Sequence, residues 1–477
     1  MANKWPKVTI ESIQARSKGA IAIGPFGSRL KSDNYVESGV PVIRGTNISS
    51  SPNFEGDFVF ITSEKADTLG SSNVYQNDLV FPHRGAIGEV GIVEADERYV
   101  LSSSLMKLTV DSEQMNPMYL YYFFKSRVGR HELLKNASTV GTPGIGQPLT
   151  SLKSIEFLKP PLGEQNQIVE ILKTLDNKIT LNRQINQTLE QMAQTLFKSW
   201  FVDFDPVMDN ALDAGNPIPD ELQHRAEVRK AVRESEGFKP LPDEVRQLFP
   251  DAFEESELGW VPKGWGISTA GDEFTVKGGS TPSTKNAEFW EGGDIHWTSP
   301  KDLSGKAEKI MLDTERKITA AGLKKITSGL LPENSVLMSS RAPIGYLALA
   351  KIPVAINQGY IAIPSTTRLS QEYALYWLDS SIDKIKGIAG GTTFAEISKH
   401  TFKSIKMIVP DSKVTDIFSN LAKGYLDKIT LNVKEVATLT KLCDTLLPKL
   451  ISGELRLDEV ELAVEQEAVS AEQQNER

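Results

Sequence analysis

The side chains that could do chemistry are few and poorly spaced for it. Five histidines (His83, His131, His224, His296 and His400) and one cysteine (Cys443) occur in 477 residues. No two histidines share a metal-ligand spacing, and one thiol builds neither an internal disulfide nor a multi-thiolate metal site. Asp203-Phe204-Asp205 brings two carboxylates close enough to imagine a metal or acid-base dyad, but in an acidic stretch a helix-ending or surface role competes with that reading. There is no G-x-x-x-x-G-K-[ST] phosphate loop, so no ATP motor of that class is expected. Nor is there an Asn/Asp-Pro-Pro-aromatic run or a glycine-rich strand-to-helix fingerprint for an adenosyl cofactor, since Lys159-Pro160-Pro161-Leu162 lacks both the amide and the ring. We therefore assign no reaction, metal or cofactor to this chain from its residues.

Charge is unevenly distributed. The net charge is −9; Asp203 to Leu258 carries −9 and Arg456 to Arg477 carries −5, which leaves +5 on the remainder. Clustered bases on such a body can still grip an anionic partner, while acidic segments lie off that face, contact protein or only aid solubility. No run of about 18 apolar residues exists and the first residues lack an apolar signal core. Together with the single cysteine, this makes a soluble protein of the reducing cytoplasm, without a membrane partner, the expectation.

The chain repeats itself. At a shift of 250, Lys153-Ser154-Ile155 and Pro160 fall on Lys403-Ser404-Ile405 and Pro410, and Lys178-Ile179-Thr180-Leu181-Asn182 falls on Lys428-Ile429-Thr430-Leu431-Asn432. Upstream the copies agree in pattern. Arg84-Gly85-Ala86-Ile87-Gly88 answers to Arg341-Ala342-Pro343-Ile344-Gly345, and Val42 to Asn47 answers to His296 to Lys301. A long repeat of this kind sets the architecture before any local reading does.

Each copy reads as short strands between glycine- and proline-rich turns, followed by a long amphipathic helix. Ile168, Ile171, Leu172, Leu175, Ile179, Ile185, Leu189, Met192 and Leu196 mark the apolar stripe of the first helix; Ile417, Leu421, Tyr425, Ile429, Val436, Leu439, Leu442 and Leu446 mark the second. A lone helix of roughly 40 residues has nothing to bury its stripe against, so the two are expected to pack on each other. The expected fold is α+β: two tandem globular α/β domains, each followed by a long helix, the helices forming an antiparallel coiled coil with pseudo-twofold symmetry. The boundaries are 1–160 and 161–204 for the first domain and helix, 205–259 for an acidic linker, 260–410 and 411–455 for the second pair, and 456–477 for an acidic, disordered tail. Asn182 and Asn432 occupy equivalent positions, either as a buried polar pair that fixes register or as solvent-facing residues.

The order of several motifs resembles one family. Gly278 to Lys285 through Trp297-Thr298-Ser299-Pro300-Lys301-Asp302-Leu303, then Ser339 to Gly345 and Gly390 to Ser398, looks like a target recognition domain. Phe197-Lys198-Ser199-Trp200-Phe201-Val202-Asp203-Phe204-Asp205-Pro206 and Leu447-Pro448-Lys449-Leu450-Ile451-Ser452-Gly453-Glu454-Leu455 look like the ends of its two helical regions. The chain thus resembles, over about residues 1 to 455, the specificity subunit of Type I restriction-modification systems. The resemblance implies a non-catalytic reader of double-stranded DNA whose two domains each take one half of a bipartite site, with the helices setting the spacer. It also implies two modification subunits carrying S-adenosylmethionine and two restriction subunits using ATP and Mg, all chemistry lying on those partners.

For DNA contact the candidates are Arg44, Asn47, Arg84, Thr298, Lys301 and Arg341, all following strand-like runs; Arg and Lys can bind guanine or phosphate, and Asn can bind adenine. For Arg84 and Arg341 a structural role in the next turn competes. Arg29, Lys31 and Lys285 are phosphate-contact candidates or ordinary solvated charges, and the turns at Thr142 and Thr392 are either DNA loops or helix caps. Phe197, Trp200, Phe201, Leu447 and Ile451 are candidate anchors for a methyltransferase subunit, with burial against their own domain as the rival. A scaffold tethering two protein- or ligand-binding heads is the alternative function.

Overall fold

The computed structural model describes residues 5–49, 51–138, 141–341, 343–390 and 395–460. It divides into two compact units, Met1–Ile179 with Ala437–Arg477, and Thr180–Val436.

Each unit holds a head made of two sheets. In the first, antiparallel strands Ile21–Ile23, Leu105–Leu108, Leu79–Pro82 and Gly91–Ile92 lie in that order; a second sheet orders Tyr35–Val36, Val59–Ile61, Val40–Ile43, Tyr99–Leu101 and Asn73–Val74. In the second unit the corresponding orders are Phe274–Lys277, Tyr360–Thr366, Ser335–Ser339, Leu347–Ala350 and Ile310–Met311, and then Arg316–Ile318, Ile295–Thr298 and Ala355–Ile356. Both heads share a parallel pairing at the same place, Val42 and Ile43 with Val100 and Leu101, and Trp297 and Thr298 with Ala355 and Ile356. Leu79–Pro82 and Ser335–Ser339 are buried at every position, which is why they read as continuous rather than alternating apolar runs. The repeat is reproduced where each head closes: Lys7–Thr9 pairs with Glu156–Leu158, and Gly266–Thr269 with Lys406–Val409.

An aromatic-rich helix packs beneath each head. Asn116 caps Pro117–Lys125 by accepting from the Met118 N–H at 2.9 Å, and Ser370 caps Gln371–Ile388 by accepting from the Tyr373 N–H at 3.0 Å. These helices hold the heads against the first long helix. Tyr122 donates to Asp176 at 2.7 Å in the first unit, and Tyr376 donates to Glu190 at 3.3 Å in the second. Burial raises both phenols far above their ordinary range, so they remain donors.

The long helices run over Leu162–Phe197 and Ser412–Ser452. In the first unit Ile168, Val169 and Leu172 share a core with Leu442, Leu446 and Leu450. In the second unit Ala193 and Phe197 share one with Val414, Phe418 and Leu426. The early part of one helix thus meets the late part of the other in the first unit, and the reverse holds in the second, so the pair is antiparallel. Met192, read as part of the apolar stripe, is instead 46% exposed.

The acidic stretch after the first helix is folded rather than a loose linker. Helices Asp205–Ala214 and Gln223–Glu234 lie together through Asp209, which accepts two hydrogen bonds from Arg229 at 2.8 and 2.7 Å, and through the Asp213–Arg233 pair at 2.5 Å. The imagined Asp203/Asp205 dyad is consumed there: Asp203 pairs with Lys198 and Arg225, and Asp205 accepts from Ser199 at 2.7 Å. Between them Phe204 adopts φ of 56°, which ends the helix and buries its ring 5.8 Å from Trp265. The expected tail lies largely outside the described residues.

Candidate nucleic-acid interface

In each head a three-residue connection follows the parallel-paired strand and crosses from one sheet to the other, and loops gather around it. In the first head Ser102, Ser103 and Ser104 join Tyr99–Leu101 to Leu105–Leu108. The Ser102 N–H donates to the Ile43 carbonyl at 2.9 Å, the His83 N–H to Ser104 at 2.9 Å and the Gly24 N–H to Leu105 at 2.8 Å. The closing turn joins them: Ile145 N–H donates to the His83 carbonyl and Gly85 N–H to Pro143, each at 2.9 Å. Gly24 is required by this crowding, because a Cβ there would sit 1.8 Å from the Ser102 carbonyl oxygen. The buried His83 ring donates from Nε2 to the Ser103 carbonyl at 3.1 Å. Burial pushes its pKa below the ordinary histidine value, which favours the neutral ring.

The second head repeats the arrangement with other side chains. Asn357, Gln358 and Gly359 make the crossing between Ala355–Ile356 and Tyr360–Thr366. The Asn357 N–H donates to the Thr298 carbonyl at 3.0 Å, Ser340 N–H to Gly359 at 2.8 Å and Ile397 N–H to Ser340 at 3.0 Å. Gly279 stands where Gly24 does, its absent Cβ 1.8 Å from the Ile356 carbonyl oxygen.

Around this frame the candidate residues sort themselves. Arg84 is exposed, its backbone bridged to Gly144. Arg341 holds the same place, bridged to Glu396, with its guanidinium 3.9 Å from that carboxylate. Arg44 is half-buried and donates to the Asp57 carbonyl at 2.6 Å. Lys301 is exposed and paired with Glu315 at 3.0 Å. Arg29, Lys31, Lys285 and Thr142 are exposed, whereas Thr392 lies outside the described residues.

Two candidates are corrected. Asn47 is 1% exposed; it accepts from the Arg44 N–H at 3.0 Å and donates to the carbonyls of Glu55 and Asp57 at 2.8 and 3.1 Å, so it builds the loop and offers no edge to a base. Thr298 is fully buried, its hydroxyl 3.2 Å from that of Tyr360. The cause is a register one residue off. The Ser299 N–H donates to Asp302 as the Arg44 N–H does to Asn47, and the parallel pairings agree, so Thr298 corresponds to buried Ile43.

The proposed partner anchors are also corrected. Phe197, Trp200 and Phe201 are 2 to 6% exposed and lie in the second unit's core, with Phe201 5.2 Å from Phe418 and Trp200 5.1 Å from Phe249. Ile451 is buried and Leu447 half-buried in the core of the first unit. Sequence reasoning missed Gln358 and Ser103 on the crossings, and Phe26, 55% exposed on the loop that closes over Ser102. Nothing in the sequence alone signals Gln358, Phe26 or Ser103.

The two heads share a parallel strand pairing and the connection that follows it, which marks them as a duplication. Residues 26–191 and 262–437 each match the Type I restriction modification DNA specificity domain, and the chain belongs to that family. It is similar to the Type I restriction enzyme HindI specificity subunit of Haemophilus influenzae, 28% identical over 75% of this chain and 82% of that one. It is also similar to the putative Type I restriction enzyme MjaX specificity subunit of Methanocaldococcus jannaschii, 25% identical over 89% of each. The fold matches that of a Type I restriction-modification S subunit from M. genitalium, with a TM-score of 0.54 over 94% of this chain and 96% of the other at 16% identity. The chain is a DNA specificity subunit, and a scaffold without DNA finds no support in these likenesses. Among the described residues no helix is long and apolar enough to cross a membrane, and no cluster of ligating side chains could hold a metal.

Proposed function

We propose that each head reads one block of a bipartite double-stranded DNA site with the loops around its sheet crossing, and that the chain itself catalyses nothing. The observation that carries this reading is the equivalence of Arg84 and Arg341, two cations on loops braced to the same crossing in two heads. Other side chains at that frame differ between heads, as Ser103 and Gln358 do, which favours an asymmetric site. Adenine methylation then belongs to two modification subunits with S-adenosylmethionine, and ATP- and Mg-dependent cleavage to two restriction subunits. Arginine serves at such a position as a bidentate guanine reader or a phosphate clamp.

Co-expression with a Type I modification subunit, followed by mapping of methyladenine with and without this chain, tests the reading. A split motif that disappears when the chain is deleted is expected. Methylation unchanged without the chain would overturn it.

A further inference from the structure

We infer that Gln358 is a base-reading residue of the second head, with Ser103 holding the equivalent position in the first. The inference rests on the DNA-reading function proposed above and goes on to name a specificity-determining side chain.

Two hydrogen-bond relations and one strand pairing superpose the crossings. Ser102 donates to Ile43 as Asn357 does to Thr298, and His83 donates to Ser104 as Ser340 does to Gly359. The paired strands Val42 and Trp297 face Val100 and Ala355 in the same sense. Ser103 and Gln358 therefore occupy one position, and both are exposed, whereas their neighbours Ser102, Ser104 and Asn357 are half-buried and Gly359 is buried.

Position and chemistry then agree. Gln358 sits where the loops carrying Thr281, Lys301 and Arg341 meet. Its neighbour Asn357 is bonded to the strand end before Lys301, and Gly359 is bonded to Ser340, which precedes Arg341. The Thr281 hydroxyl donates to the Gln358 Oε1 at 2.7 Å, which fixes the amide. Among the described residues its Nε2 meets no protein acceptor. A glutamine with an oriented amide can make paired hydrogen bonds to adenine N6 and N7, and such a pair discriminates against the wrong base by tenfold or more. A lone serine hydroxyl, as at Ser103, pairs with any base and discriminates weakly. The first head then relies more on Arg84 and its other loops.

The test is methyladenine mapping with the complete chain and its methyltransferase partner, comparing wild type with Gln358→Ala and Gln358→Glu. Thr281→Val is a third variant that frees the amide without removing it. Wild type must first give a split motif; failure there is failure of the reading above and not of this inference. With the motif in hand, Gln358→Ala is expected to relax one base position in one block by about tenfold or more while the other block is unchanged, and Thr281→Val is expected to relax the same position less. Gln358→Glu is expected to shift the preference there, because a carboxylate only accepts. An unchanged motif in the Ala and Glu variants would overturn the inference. So would an equal loss in both blocks in a variant whose thermal melt matches wild type. If Gln358→Ala melts early, Thr281→Val decides, and relaxation outside the block lost to Arg341→Ala would overturn it.

Discussion

Asn432 donates from Nδ2 to Oδ1 of Asn186 at 2.8 Å, joining the two long helices inside the second unit, with the two residues 1% and 2% exposed. The equivalent Asn182 is bonded not to Asn432 but to Glu435, at 2.9 Å. The Asn186 Nδ2 and the Asn432 Oδ1 have no partner among the described atoms, so the contact is only half satisfied. A polar contact of that kind specifies register at a cost in stability.

Replacing Asn432 with Ala should therefore cost about 1–3 kcal/mol, because it strands the Asn186 amide. Replacing both Asn186 and Asn432 with Leu should be neutral or stabilising. Thermal denaturation of Asn186→Leu, Asn432→Leu and the double Leu variant measures the coupling, and a neutral Asn432→Ala would contradict the assignment.

Trp200 fills the second unit's core, and its removal acts on folding before it acts on any partner. Trp200→Ala should destabilise by about 3–5 kcal/mol, and Trp200→Phe by far less. Equal melting temperatures for Trp200→Ala and wild type, with loss of partner binding only, would restore its earlier reading as a docking anchor.

His83 links acidity to the stability of the first head. Its folded pKa lies below the ordinary 6.5, so the unfolded chain binds the proton more readily and stability is lost as pH falls through about 6.5. The first head should melt earlier at pH 5 than at pH 7. His83→Gln should flatten that part of the slope, since an amide can still donate to Ser103. An unchanged slope would exclude His83 as its source.

Arg84 and Arg341 should act on separate blocks. Arg84→Ala should weaken recognition of one block and Arg341→Ala of the other, each by roughly 1–3 kcal/mol if the contact is to a base. A uniform loss across sequences, with a shallower salt dependence, would mark phosphate contacts instead. Measuring binding to duplexes altered in one block at a time separates the two outcomes.

The architecture was legible because duplication is visible at letter level from Lys153 onward, where both copies pack on the same helix pair. The strands were readable as buried apolar runs, and Arg84 and Arg341 were correctly matched by their shared Ile-Gly turn. The match of Val42 to Asn47 with His296 to Lys301 slipped by one, because no shared letters span those loops; only backbone caps at Asn47 and Asp302 set the register. Asn47 and Thr298 were overvalued for a physical reason: polar side chains after a strand serve the loop's own amides as readily as a ligand. The acidic stretch hid its fold because its helices are stabilised by Asp–Arg pairs, which composition alone reads as solvated charge. The aromatic run at Phe197 to Phe201 reads equally as an anchor or a core until Tyr373 and Phe418 are seen against it.

One chain is proposed to carry two readers. Selection of duplexes from a random-sequence pool by this chain together with the modification subunits proposed for it tests this most directly. Two short conserved blocks separated by a constant number of unconstrained base pairs are predicted. A single continuous block, or no enrichment over the starting pool, would contradict the account.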